Sequence, residues 1–463
     1  MITVNPFGEK TVGVLGLGRS GLAAARALLD AGAAVVVWDD NAARREEARF
    51  AGFTLSDPAK DDWTANAALL LSPGIPLTHP APHAEVAKAN AAGIPVVGDM
   101  ELFAAALADQ PEAATVAITG TNGKSTTTAL VAHVFHALGV PSVAAGNIGR
   151  PVMSLDALPS GGVYVLEVSS YQIDLAPRLK PDIAVLLNIT PDHLDRHGGM
   201  AGYVAVKRRL FANQGVTDWA IIGIDDAHCA GICAGLKAEG RQVIPVSVNQ
   251  AVAEGVYVAD GKLVDATGGT PRIVGDLTLL PTLKGRHNWQ NAAAAYAAVS
   301  RRVDDPAGIF DAMMTFPGLP HRMEQVGEAE GILFVNDSKA TNQASAARAL
   351  SSFANIRWIA GGIAKEDHLD EVRPFLPQVA KAYLIGRDGP MFERLLQPLV
   401  PAILCGDMTT ALESATRDAS TQGGGTVLLS PAAASLDQFR DYEDRGDRFR
   451  AWAQTWIEQR ERG

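Results

Sequence analysis

Cysteine is scarce in this chain: Cys229, Cys233 and Cys405 are the only three in 463 residues. So sparse and odd a set excludes a disulfide framework. Cys229 and Cys233 are spaced to share a helix face, yet no second pair or His cluster completes a zinc site, so all three read as reduced thiols. Long apolar runs are missing too. Nowhere do 18 apolar residues follow one another, and the opening segment MITVNPFGEK lacks a basic stretch leading into an apolar one. Neither export nor membrane insertion is expected, and a cytoplasmic location is. Positive charge is in deficit, with 40 Lys plus Arg against 51 Asp plus Glu and a net charge of −11. That balance argues against nucleic acid and anionic membranes as partners, and any bound phosphate needs its positive charge supplied locally. No internal repeat is evident, and the low-complexity patches are short Ala runs and Gly423-Gly424-Gly425.

What the chain has is alternation. Short β-type runs and Ala-rich helical stretches follow each other from end to end, the pattern of α/β domains with mainly parallel sheets. Thr11–Leu15 reads as a strand, 19–31 as a helix and 33–38 as a second strand ending in Asp39-Asp40. A second block opens with a strand at 115–119, a glycine loop and a helix over 124–138, then strands at 163–166, 183–187 and 219–224. The stretch Asp109-Gln110-Pro111-Glu112 reads as a linker. A third block follows Phe316-Pro317-Gly318-Leu319-Pro320, with strands at 332–335, 356–360, 382–385 and 426–429. The length suits about three domains. The expected fold class is α/β in three domains: Rossmann-like at 1–111, phosphate-loop ATPase-like at 112–318, and Rossmann-like again at 319–463.

The segment Gly120-Thr121-Asn122-Gly123-Lys124-Ser125-Thr126 joins a strand to a helix N-terminus. Loop N–H groups and the helix end offer partial positive charge to a triphosphate, Lys124 reaches its outer phosphates, and Ser125 offers a hydroxyl to magnesium. Ile118 stands where the longer phosphate-loop pattern has its first Gly, so the loop is a shortened variant. Ligands in open α/β sheets bind at the carboxyl ends of strands, which puts Glu167 and His193 into the same crevice. Magnesium favours oxygen ligands, so Glu167 suits it directly or through water. A lone His is more often structural, but PDHLDRH packs two Asp and two His into seven residues after a strand.

Gly16-x-Gly18-x-x-Gly21, with Asp39 at the end of the next strand, formally satisfies the dinucleotide fingerprint. A nicotinamide-dependent oxidoreductase is one reading. The physics is broader, because tight-turn glycines beside a helix N-terminus bind any diphosphate, including that of a UDP-sugar. The oxidoreductase reading leaves GTNGKST unexplained, and a nucleotide-binding scaffold without turnover is a third possibility.

Taken in order, GLGRSGLA, SPGI, GDMELF, GTNGKSTTT, GNIG, LEVSSYQ, DHLDRH, GRHNWQNAAAA, FPGLPHRME, NDSKATN and SPAAASLDQF resemble the Mur ligase family over essentially the whole chain. The resemblance implies an ATP-dependent ligase of peptidoglycan precursor synthesis that uses ATP and two Mg2+ ions, with NDSKATN and SPAAASLDQF pointing to the glutamate-adding type. Its implied substrates are UDP-N-acetylmuramoyl-L-alanine and D-glutamate, and one chain is expected to suffice. It implies ATP contacts from Gly120, Thr121, Asn122, Gly123, Lys124, Ser125, Thr126, Asn288, Asn291, Arg322 and Asp337. The UDP-substrate falls to Gly18, Arg19, Ser20, Asp39, Asp40, Ser72, Pro73, Gly74, Asn147 and His193. The amino acid falls to Lys339, Thr341, Lys365, Ser435, Leu436 and Tyr442. Ser125, Glu167, His193 and a carbamylated Lys207 are implied at the metal, and Lys124, Asn147, His193, Lys207 and Lys339 in catalysis. A carbamate makes an anionic oxygen ligand of an amine, which gives a lysine a place among metal ligands. With ATP groups in two blocks, closure about residues 316–320 is expected.

Overall fold

The computed structural model describes Ile2, Val4, residues 6–108 and residues 112–461. Asp109-Gln110-Pro111 of the expected linker lie outside the described residues. The chain forms two compact units, Met1–Phe316 and Pro317–Gly463. Their boundary falls inside the Pro/Gly cluster read from the sequence.

The first unit holds two sheets. One has five parallel strands in the spatial order Thr54–Leu55, Ala34–Trp38, Thr11–Leu15, Ala68–Leu71 and Val96–Val97. The other has nine strands and is built around the parallel neighbours Ile183–Leu186, Ala114–Thr119, Val163–Glu167 and Ser142–Gly146. Every residue of Ala114–Thr119, Val163–Glu167 and Ile183–Leu186 is buried, as both faces are covered. This is why these strands read as unbroken apolar runs without alternation. On one face Val116, Ile118 and Val185 pack under the helices Lys124–Ala137 and Arg286–Val299. Alanines at 292–295 and 297–298 keep the second of these helices slim enough to approach closely. On the other face Tyr164, Leu166, Ala184 and Leu186 join Val12, Val14, Leu28, Met100 and Phe103 in a single core. The Phe103 and Tyr164 rings meet edge to face at 5.2 Å. The two sheets therefore share one apolar layer.

The nine-stranded sheet continues past Trp219–Gly223 and Gln242–Ser247 into Val256–Ala259, Lys262–Asp265 and Arg272–Asp276, the last two strands pairing antiparallel. These outer strands are absent from the sequence reading. Asp260 and Gly261, both at positive φ, make the two-residue turn of their hairpin.

The second unit carries six strands in the order Glu324–Ala329, Ile332–Asn336, Gly425–Leu429, Ile356–Gly361, Val379–Ile385 and Ala402–Gly406. All neighbours are parallel except the first pair.

Candidate active site

The phosphate loop lies between the strand Ala114–Thr119 and the helix Lys124–Ala137. Gly123 caps this helix in the left-handed region, with φ 85° and ψ −12°. A Cβ there would stand 2.2 Å from Asn291 Oδ1, so the glycine admits both the turn and the neighbouring helix. Lys124 Nζ donates to the carbonyls of Gly120 and Thr121, each at 2.8 Å. Ser125 is buried in the first turn, while Thr126 is half-buried. Asn291, whose Oδ1 approaches Gly123, donates to Asn288 Oδ1 at 3.1 Å, and Asn288 to the Lys284 carbonyl at 2.9 Å, so the two asparagines are linked on one helix.

Glu167 ends the adjacent strand and is 2% exposed. Its Oε1 accepts from Asn147 Nδ2 at 2.7 Å, while its Oε2 is buried with no hydrogen-bond partner. An unsatisfied buried carboxylate oxygen is costly, and a hard cation is one group that satisfies it. Among the described residues no cluster of three His, Cys, Asp or Glu forms a metal site. The implied donor set mixes one carboxylate with a hydroxyl, a His and a Lys, so such a cluster is not its signature.

Lys207, on the helix Met200–Arg208, is 1% exposed. It donates to the Gly120 carbonyl at 3.0 Å and to Thr119 Oγ1 at 3.3 Å. Burial, reinforced by the charge of Lys124, pushes its pKa down to about 7. As a protonated amine it is a donor and not a ligand. His193 takes a left-handed backbone, φ 52°, at the start of the short helix Leu194–His197 and keeps its side chain about half exposed, with Nε2 3.4 Å from Asp192. Tyr171 packs against His193 at 5.0 Å and stacks on His197 at 5.4 Å. His197 in turn meets Tyr203, whose ring carries Lys207 Nζ at 4.8 Å. Tyr203 also contacts Thr121 Oγ1 at 3.1 Å, tying this aromatic file to the phosphate loop.

In the five-stranded sheet the glycines do distinct work. Gly16 has φ 92°, and a Cβ on Gly21 would stand 2.0 Å from the Gly16 carbonyl. Ser72 Oγ donates to that same carbonyl at 2.7 Å. Asp39 accepts from the N–H groups of Leu17 and Asn41, at 2.7 and 2.8 Å, and so braces the turn. Burial alone would raise its pKa, but these bonds and Arg44 outweigh it and hold the group below the ordinary value. Asn41 caps the helix Ala42–Phe50 by accepting from Ala43. Arg19 and Ser20 open the first helix behind Gly18, Asp40 follows Asp39, and Pro73 and Gly74 follow Ser72. The Gly74 carbonyl accepts from Arg196 at 3.0 Å, which links this loop to the DHLDRH segment. Gly21→Ala is expected to raise KM for a ligand held at this glycine turn about tenfold by pushing the helix off Gly16, with KM for a nucleotide held at the phosphate loop little changed. Steady-state kinetics of the variant checks this.

In the second unit the candidate residues follow the carboxyl ends of adjacent parallel strands, where open α/β sheets bind ligands. Asp337 to Thr341 follow Ile332–Asn336, Ser435 and Leu436 follow Gly425–Leu429, and Lys365 follows Ile356–Gly361. Paired backbone bonds between Ile363 and Ala434 tie the last two loops together. Lys339 Nζ lies 3.6 Å from the centre of the Tyr442 ring. Ser435 is buried, whereas Leu436, Lys365 and Arg322 are exposed. Lys365 lines an open groove with Glu366, Asp367, His368 and Asp388. Asp337 accepts from Ser430 Oγ at 2.7 Å and Met323 N–H at 3.2 Å, yet burial dominates and pushes its pKa up to about 7. A carboxyl raised on folding binds its proton more tightly in the folded state, so its stabilising effect is present at low pH. That effect is lost as pH rises from about 4 to 7. Asp337→Asn is expected to flatten this loss, read by denaturant unfolding across that range.

Sequence reasoning passed over Arg445, 0% exposed, whose guanidinium donates to the carbonyls of Ser338 and Ala433. It also passed over Asn188 and Gln290, although Gln290 lies within the quoted GRHNWQNA run. Among the described residues no helix is long and apolar enough to cross a membrane.

A glycine phosphate loop with a buried carboxylate beside it and a glycine turn of the diphosphate-binding type define a phosphate-binding α/β protein, and the chain belongs to the Mur ligase family of ATP-dependent ligases. Residues 10–98 match the Mur ligase MurD-like N-terminal domain, 118–299 the Mur ligase middle domain, and 321–433 the Mur ligase glutamate ligase domain. The UDP-N-acetylmuramoylalanine--D-glutamate ligase of Caulobacter vibrioides is 52% identical over 97% of each chain. That of Phenylobacterium zucineum is 50% identical over 98% of each. Among solved structures, the UDP-N-acetylmuramate-alanine ligase of Thermotoga maritima shares the fold, with TM-score 0.58 and 16% identity over 96% of this chain and 99% of that one.

Proposed function

We propose that this chain joins D-glutamate to UDP-N-acetylmuramoyl-L-alanine, with conversion of ATP to ADP and phosphate, in peptidoglycan precursor synthesis in the cytoplasm. The observation that carries the reading is end-to-end identity of about half with ligases named for that reaction. The γ-phosphoryl group of ATP passes to the substrate's terminal carboxylate, giving an acyl phosphate. The amine of glutamate attacks its carbonyl carbon, loses a proton, and phosphate leaves from the tetrahedral intermediate.

Carboxylate and triphosphate repel, so the first task of the residues is neutralisation and alignment. The loop N–H groups from Gly120 to Thr126 and Lys124 hold the phosphates, with Asn288, Asn291, Arg322 and Asp337 as further ATP contacts. Two magnesium ions, when bound through Ser125, Glu167, His193 and a carbamylated Lys207, supply charge neutralisation. The unsatisfied Glu167 Oε2 supports that donor set, and Asn147 holds the other oxygen in place. A lysine with its pKa pushed down to about 7 presents enough neutral amine near neutral pH to take up carbon dioxide as a carbamate. Gly18, Arg19, Ser20, Asp39, Asp40, Ser72, Pro73 and Gly74 serve the uridine diphosphate end. Lys339, Thr341, Lys365, Ser435, Leu436 and Tyr442 receive glutamate, whose two carboxylates need cationic and hydroxyl partners on leaving water.

The test is phosphate release from ATP with UDP-N-acetylmuramoyl-L-alanine and D-glutamate, L-glutamate or no amino acid. Release is expected with the D-isomer alone. Equal release without an amino acid, or none under any condition, overturns the reading.

A further inference from the structure

We propose that Gln290 is a positioning residue for ATP, acting through Asn188 to fix the main chain of the phosphate loop at Asn122. The inference rests on the ATP-dependent reading above. Asn188 Oδ1 accepts from the Asn122 N–H at 2.9 Å, and Asn188 Nδ2 donates back to the Asn122 carbonyl at 3.2 Å. The Asn188 carbonyl also accepts from the Thr121 N–H at 2.9 Å. One residue thus clasps three consecutive peptide groups of the loop.

The clasp is itself held from behind. Asn188 Nδ2 donates to Gln290 Oε1 at 3.1 Å, and Gln290 Nε2 donates to Asp225 Oδ2 at 3.3 Å. Asp225 also accepts from Ser247 Oγ at 2.6 Å and from the Val248 N–H at 2.9 Å. The direction of this relay is set at both ends. The Asn122 N–H can only donate, which fixes which way the Asn188 amide faces. The Asp225 carboxylate can only accept, which fixes Gln290. No other orientation of the two amides satisfies every bond.

Gln290 stands on the helix whose Asn291 approaches the loop at Gly123. It is 8% exposed on Arg286–Val299, between Asn288 and Asn291, so the relay and the Gly123–Asn291 contact set the same helix against the same loop. A Cβ on Gly223 would lie 3.1 Å from Gln290 Nε2, so the glycine at the neighbouring strand end is what makes room for the Gln290 amide. Loop N–H groups bind phosphate well only when held converging beforehand, and that preorganisation is what the relay contributes.

Calorimetric titration with magnesium ATP, paired with steady-state kinetics, tests this. Gln290→Met keeps the volume and removes both hydrogen bonds, so it is expected to weaken ATP binding about five- to tenfold. Gln290→Glu keeps the acceptor facing Asn188 but sets a carboxylate against Asp225, so it is expected to weaken ATP binding more than Met does. KM for the UDP-substrate and for glutamate should stay within about twofold in both variants, which a general loosening of the fold would not allow. If Gln290→Met does not fold, the Glu variant carries the test. Wild-type affinity for ATP in a folded variant overturns the proposal. Absence of ATP binding by the unaltered chain overturns the functional reading itself.

Discussion

Lys207→Ala is expected to lower ligation about 10²–10³-fold, the scale on which a preorganised charge at a phosphoryl-transfer site is felt. Short carboxylates such as formate or acetate should restore part of the activity, because the cavity left behind has the size and position of the missing anion. Lys207→Arg should not be rescued, since a guanidinium stays cationic and fills the space. The physical basis is the burial of an amine at 1% exposure beside Lys124, with the Gly120 carbonyl and Thr119 as its hydrogen-bond acceptors. An ammonium in that place gains little, whereas a neutral amine that takes up carbon dioxide becomes an anion facing a cationic loop. Initial rates with and without added carboxylate decide the matter, and full activity of the Ala variant would remove the carbamate from the mechanism.

Gly123→Ala is expected to weaken ATP binding roughly a hundredfold, the sum of two separate penalties. An L-residue at φ 85° costs about 1–2 kcal/mol. The added methyl would lie 2.2 Å from Asn291 Oδ1, so either the loop or the helix must move, at a further ~1–3 kcal/mol. Both penalties fall on the phosphate loop and leave the glycine turn at Gly16 alone, so KM for the UDP-substrate should hold. Nucleotide titration beside a thermal melt separates this from general unfolding.

Much of this arrangement was legible because the chemistry is local. A strand, a glycine turn and a helix N-terminus follow one another in sequence around Gly120, so loop and function are read from one stretch. The parallel strands declared themselves as short apolar runs for the same reason, since each is covered on both faces. What stayed hidden depends on distance along the chain. Asn188 and Gln290 are 102 residues apart and look like ordinary polar residues until the sheet brings them together. Arg445 reads as one more charge on an exposed helix, yet it is fully buried against Ser338 and Ala433. The outer strands from Val256 to Asp276 escaped because they are short and half polar, although Asp260-Gly261 is a recognisable hairpin turn.

The apolar layer shared by the first two sheets has a consequence for how the protein comes apart. Tyr164 and Leu166 in one sheet, Val12 in the other and Met100 and Phe103 on the helix Asp99–Leu107 lose their covering together, so neither sheet is an independent module of stability. The five-stranded and nine-stranded sheets are therefore expected to melt as one cooperative body. Amide hydrogens of the strands at 11–15 and 163–167 should exchange with a common opening energy, while those of the second unit follow their own. A change that loosens Phe103 reaches the phosphate loop as lowered local stability, without any contact between them.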